Sequence, residues 1–224
     1  MAKKKIEIKD LFRVYKTSKL EVIALRGIDL DIEEGKIVTI LGPSGCGKTT
    51  LLNLIGGLDR PTAGSIMVDG QNIVKYSDNE LVKYRREKIG FVFQFFNLVS
   101  TLSAQENIEL PMRLSGTKSR LIKKRTQELL EIVNMKVRAK HKPDELSGGE
   151  QQRVAIAMAL ANEPEIILAD EPTGELDTET GQDVLNLFKR LNRKRKITEI
   201  IVTHDQRISN IADMKFNISD GKIV

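Results

Sequence analysis

The sequence predicts an α/β fold: a parallel central sheet, an antiparallel β-subdomain on its N-terminal side, and an α-helical subdomain inserted between two core strands. Three observations point there. Four short runs, at 37–41, 89–93, 166–169 and 197–203, are predominantly apolar and rich in β-branched and aromatic residues, as strands buried on both faces are. The N-terminal segment instead alternates, with Ile6 and Ile8, then Ile28, Leu30 and Ile32, the pattern of strands with one wet face. From Ser103 through Ala161 the apolar spacing is helical.

In chain order, the 37–41 run enters Gly42, Pro43, Ser44, Gly45, Cys46, Gly47, Lys48 and Thr49. These match G-x-x-x-x-G-K-[ST], with a good helix former following at 50–55. Glycines open backbone angles closed to other residues, so successive N–H groups can turn inward around the α- and β-phosphates of a nucleotide. The helix N-terminus adds about half a positive charge at that point. Lys48 would reach the β- and γ-phosphates, and the Thr49 hydroxyl would bind Mg2+. A functionless glycine turn is disfavoured by the strand before and the helix after. Cys46, the sole cysteine, excludes an intrachain disulfide and suits a small filler.

A further antiparallel strand is expected at 65–70, closing on the turn pair Asp69-Gly70. The 89–93 run ends on Gln94. The insertion then holds helices at 105–113 and 120–133, the second with Leu121, Ile122, Leu129, Leu130 and Val133 on one broad face. Within it lie Leu146, Ser147, Gly148, Gly149, Glu150 and Gln151, ahead of an apolar helix at 154–160. A serine and two glycines make a second helix N-terminus fit for an anion, though alone such a turn usually only caps its helix. Pro164 ends this region.

The 166–169 run ends on Asp170 and Glu171. Beside a phosphate loop, Asp170 suits holding Mg2+ through its water shell, and Glu171 suits orienting or deprotonating the attacking water. A helix at 183–192 and the 197–203 run follow, the latter ending on His204. Ligands of open α/β sheets bind at the carboxyl ends of the strands. Four polar groups at four strand ends predict a nucleotide hydrolysis site.

The 224 residues carry a net charge of +5, with 40% hydrophobic and 30% charged residues, ordinary for a globular protein with a proper core. No apolar stretch approaches the roughly 20 residues of a membrane span. The basic start, Met1 to Glu7, lacks the apolar core of a signal peptide, so a cytoplasmic protein is expected. Basic runs at 118–125, 136–142 and 189–196 read as solvated helix faces, and few aromatics interleave with them, so no nucleic-acid partner is expected.

The order of elements resembles the ATP-binding cassette family, the nucleotide-binding subunits of ABC transporters. The phosphate loop, Gln94, Leu146 to Gln151, Asp170-Glu171, Gly174 to Asp177 and His204 occur in the family's order, over essentially the whole chain. The resemblance implies one cassette at 1–224, a P-loop NTPase (RecA-like) core with the β-subdomain at 1–94 and 163–224, and a helical subdomain at 95–162. It implies ATP and Mg2+, and a head-to-tail pair of cassettes around two ATP molecules. Ser147, Gly148 and Gly149 would then hold the γ-phosphate bound in the opposite copy's loop. Tyr15 would stack on adenine, Gln94 would sense magnesium and the attacking water, and His204 would contact the γ-phosphate. Residues 42–50, Gln151 and Asp177 would line the nucleotide, and Thr50 belongs to that set.

Residues 90–98 and 168–174 resemble the lipoprotein-release and macrolide-export branch, with the cell-division ATPase also near. That branch works with a separate integral membrane permease, which implies a peripheral place at the inner face of the membrane. Phe95, Phe96 and Leu98 are either a groove for a coupling helix of that partner or part of the helical core. Glu175 departs from the family pattern, which has a small or uncharged residue there, and is expected near the dimer interface and the phosphates. Two other classes are weaker. A non-transport cassette would carry a long coiled coil or two ATPase units, and a P-loop small-molecule kinase leaves the Ser147 turn without a task.

Overall fold

The computed structural model describes residues 3–16 and 20–224. Met1 and Ala2 of the basic start lie outside them. In chain order the elements are β1 (Lys4–Lys16), β2 (Glu21–Glu33), β3 (Ile37–Leu41), α1 (Lys48–Ile55), β4 (Ala63–Val68), β5 (Gln71–Asn72), α2 (Asp78–Lys88), β6 (Ile89–Val92), α3 (Ala104–Leu114), α4 (Ser119–Ile132), α5 (Gly148–Ala159), β7 (Ile166–Asp170), α6 (Thr178–Arg195), β8 (Thr198–Thr203), β9 (Met214–Ser219) and β10 (Lys222–Ile223).

Two sheets form. One is antiparallel, in the order β2-β1-β4-β5; the other has six strands in the order β10-β9-β3-β8-β7-β6. In the second, β9, β3, β8, β7 and β6 run parallel and β10 closes the edge antiparallel. The four apolar runs are therefore immediate neighbours. Their register places Leu41 beside Thr203, Val202 beside Asp170, and Ala169 beside Val92, so the four carboxyl ends lie abreast.

The central sheet is covered on both faces, which is why its strands tolerate no alternation. On one face Ile167, Ala169 and Ile201 pack with α3, α4, α5 and α6 residues such as Ile108, Leu129, Ile156 and Phe188. On the other Val38, Ile40, Leu168, Ile200 and Val202 pack with α1 and the antiparallel sheet. Leu98 packs with the helical cluster, while Phe95 is 70% exposed. The three residues offered together as a groove or a core thus part company.

Besides the two-residue strands β5 and β10, two elements had no counterpart in the sequence-based expectations. In α2 only Leu81 and Tyr84 are buried, too few to set a helical period, though Ser77 and Glu80 form a capping box at its start. In β9 only Ile218 is fully buried, and its alternation is short.

Candidate active site

The phosphate loop leaves β3 and turns into α1 at Gly47, whose φ of 106° lies in the region L side chains avoid; a Cβ there would come within 2.6 Å of the Ala24 carbonyl. No side chain caps α1, whereas Ser77, Ser103, Ser147 and Asp177 cap α2, α3, α5 and α6. The first-turn N–H groups, those of Lys48, Thr49 and Thr50 included, have no preceding helical carbonyl to meet. Pro43, Ser44, Gly45 and Thr49 are exposed, while Cys46 is buried beneath the loop as a filler. The Lys48 side chain is 7% exposed and donates to the carbonyls of Gly42 and Pro43 at 2.8 and 2.9 Å.

Glu171 completes this pocket. Its φ of 44° is the left-handed conformation, costly for a residue with a side chain, and such strain collects at functional sites. Its Oε2 accepts from the Thr203 hydroxyl at 2.8 Å and the His204 N–H at 3.3 Å. Its Oε1 lies 3.0 Å from His204 Nδ1 and 3.8 Å from Lys48 Nζ. Burial pushes the neighbouring Asp170 carboxyl up, a hydrogen bond from the Thr49 hydroxyl opposes this, and the Glu171 charge adds to it. Two half-buried carboxylates beside one lysine leave room for a further positive charge. The donors available to it, the Thr49 hydroxyl, the Asp170 carboxylate and the Gln94 carboxamide, are oxygens of the kind Mg2+ takes, so the residues fit that ion.

Gln94 follows β6 by one turn residue, and its Nε2 donates to Glu175 Oε1 at 2.9 Å. Glu175, expected at an interface, thus has a partner in its own chain. Tyr15 stands on β1, 37% exposed; the Arg13 guanidinium lies 4.3 Å from its ring centroid, and its hydroxyl donates to Asp59 at 2.8 Å. Sequence reasoning passed over Arg13, Asp59 and Thr203. Only Thr203 carried a signal, as the last polar residue of its strand.

The second helix N-terminus is built differently. Ser147 is exposed; its hydroxyl accepts from the Glu150 N–H at 3.3 Å, and the Glu150 carboxylate accepts from the Ser147 N–H at 2.9 Å. Arg138 steadies Glu150 at 3.2 Å. A Cβ at Gly149 would sit 2.1 Å from the Thr180 methyl on α6, while one at Gly148 would meet nothing closer than 3.4 Å. Gly149 is demanded by the chain's own packing; Gly148 is not. The Gln151 amide donates to the Leu146 carbonyl, and Asp177 caps α6, accepting from the Glu179 and Thr180 N–H groups. Among the described residues, no hydrogen bond or ion pair joins Ser147, Gly148 or Gly149 to the Lys48–Glu171–His204 cluster.

The model of the ABC transporter family matches residues 25–174, from β2 through the Glu171 turn. The chain belongs to the ABC transporter family. It is an ATP-binding cassette, a transporter's ATP-binding subunit, with the ATPase chemistry of that family. It is 47% identical, over 99% of its length and 94% of the relative's, to an uncharacterised ABC transporter ATP-binding protein of Thermotoga maritima. It is 44% identical to the lipoprotein-releasing system ATP-binding protein LolD of Syntrophus aciditrophicus, over 98% of each chain. It also aligns at 46% identity with the macrolide export ATP-binding/permease protein MacB of Hyphomonas neptunium, covering 34% of that longer chain. Among solved structures it resembles a dimeric post-hydrolysis state of an ATP-binding cassette of Methanocaldococcus jannaschii bound to ADP and Pi. The TM-score is 0.90 at 44% identity, over 97% of this chain and 96% of that one. No helix among the described residues is long and apolar enough to cross a membrane.

Proposed function

We propose that two copies of this cassette close head to tail around two ATP molecules and that closure drives a separate membrane permease of the lipoprotein-release or macrolide-export type. The observation that carries the reading is the pair of helix N-termini: α1 opens onto Lys48, Asp170 and Glu171, and the exposed Ser147 of α5 does no more in its own chain than cap its helix. The solved dimer of a relative supports the pairing, and the LolD and MacB relatives support the branch.

Within each site, Lys48 and the loop amides bind the phosphates, and Tyr15 offers its free ring face to adenine. Thr49, Asp170 and Gln94 would hold Mg2+, which supplies positive charge to the phosphate oxygens. Glu171 takes the proton of a water as that water's oxygen attacks the γ-phosphorus, and ADP departs as phosphate forms. His204 and Thr203 hold the Glu171 carboxylate in place, and His204 also faces the γ-phosphate. Ser147, Gly148 and Gly149 of the opposite copy close the site.

The permease is proposed to dock in a cavity of about 400 Å³ between α2, β6 and α3, floored by Phe91 and Phe93. Val82 and Leu114 stand at its rim, 50% and 78% exposed.

The test is the solution mass of Glu171→Gln by light scattering, with and without ATP and Mg2+. A shift from monomer to dimer on adding ATP is expected, with turnover down about 10²- to 10⁴-fold, the usual worth of a positioned base. A variant that binds ATP tightly yet stays monomeric would overturn the pairing, and near wild-type turnover would overturn the role of Glu171.

A further inference from the structure

Glu175 occupies the turn that follows Glu171, and its contact with Gln94 joins segments 81 residues apart. A Cβ built on Gly174 would stand 3.3 Å from the same Gln94 Nε2, so the glycine leaves the carboxamide its place against this turn. The two ends of that carboxamide have opposite tasks. Its nitrogen only donates, and its oxygen is the end that can bind a hard cation. An ionised carboxylate only accepts, so Glu175 can hold the nitrogen end and never the oxygen end. With a small apolar residue at 175, nothing in this turn's side chains would distinguish the two near-isosteric orientations of the amide.

We propose that Glu175 is a positioning residue: it holds Gln94 by its amide nitrogen and thereby presents Oε1 to the magnesium side of the site. The proposal rests on the reading of Gln94 as a magnesium ligand. Glu175 touches neither the nucleotide nor the ion; it acts through Gln94, as the partners behind metal ligands do. Losing such a partner typically lowers metal affinity about 10- to 100-fold, and the low end applies because Thr49 and Asp170 remain.

The experiment measures the affinity of the full chain for a fluorescent ATP analogue, once with excess EDTA and once with Mg2+. The ratio of the two dissociation constants reports how strongly the ion and the nucleotide are coupled, without any turnover. Glu175→Ala is expected to lower this ratio about tenfold. Glu175→Gln, whose amide can accept from the nitrogen end of Gln94 or donate to its oxygen end, no longer selects one orientation and lowers the ratio as well, by less than Glu175→Ala. Gln94→Ala lowers the ratio as Glu175→Ala does, and the double variant adds nothing further, because the two residues act as one unit. Glu175 is exposed, so the variants fold, and their thermal midpoints check this.

An unchanged ratio in Glu175→Ala beside a lowered one in Gln94→Ala would overturn the proposal and leave the Gln94 reading standing. An unchanged ratio in both would sink that reading and the proposal with it. A Glu175→Gln with the full wild-type ratio would show that an accept-only group at 175 is not what orients Gln94, which also overturns it. A further drop in the double variant does the same, because Glu175 would then act on the ion by itself.

Discussion

The start of α1 has no side-chain cap and is partly enclosed by its own chain, with Lys48, Asp170, Glu171, Thr203 and His204 gathered beside it. The start of α5 is capped by its own Ser147 and faces solvent. Both are helix ends suited to an anion, yet one has everything needed to bind a triphosphate and the other has a hydroxyl, two glycines and no lysine. A capped helix is stable without a ligand; an uncapped one leaves its amides for whatever arrives. On the proposed function the contrast divides the labour within one chain: α1 would bind first, and α5 would recognise what another copy has bound.

Removing the cation of the enclosed end is the most damaging way to test that division. Lys48→Ala is expected to cost about 2–5 kcal/mol of nucleotide affinity in the single chain, as truncating a buried charge partner does. Ser147→Arg is expected to leave single-chain affinity within about 0.5 kcal/mol, as a surface change does, while abolishing ATP-driven dimerisation and with it turnover. Equilibrium binding and light scattering on the same samples separate the two, and equal losses of binding would erase the contrast. A smaller effect sharpens it within α5. Gly149→Ala forces a methyl against Thr180, whose branched side chain cannot step aside, and is expected to destabilise by about 1–3 kcal/mol in denaturant melts. Gly148→Ala meets only ordinary contacts and is expected to stay within about 0.5 kcal/mol. Between these two lies Ser147→Ala, about 1 kcal/mol from the lost cap, read in the same melts.

Much of this arrangement was legible in the chain itself, and the reason is burial. β3, β6, β7 and β8 are covered on both faces, so each appears as a mainly apolar run, interrupted in β8 by Thr198 and Glu199, and just past those runs stand the loop from Gly42, Gln94 after Phe93, Glu171 after Asp170, and His204. α2 escaped notice because it buries two side chains along three turns of charged residues; its Ser77–Glu80 box was the available clue. β9 escaped because Met214 and Phe216 are only partly covered. Contacts between distant turns were not legible at all. Nothing local in Gly174-Glu175-Leu176 says that its carboxylate meets Gln94, and nothing around Tyr15 announces Asp59, which reaches it from beyond the far end of α1. Such pairings are fixed by strand order, which a linear pattern does not state.

The missing side chain at Gly149 has a mechanical side as well. Thr180 fills that space from the first turn of α6, the helix that springs from the very turn carrying Glu171. Close-packed interiors pass displacement on with little loss. On the proposed head-to-tail pairing, the carboxylate assigned to one nucleotide and the serine assigned to the other would share a joint without play, and an event at one seat would be passed on to the next.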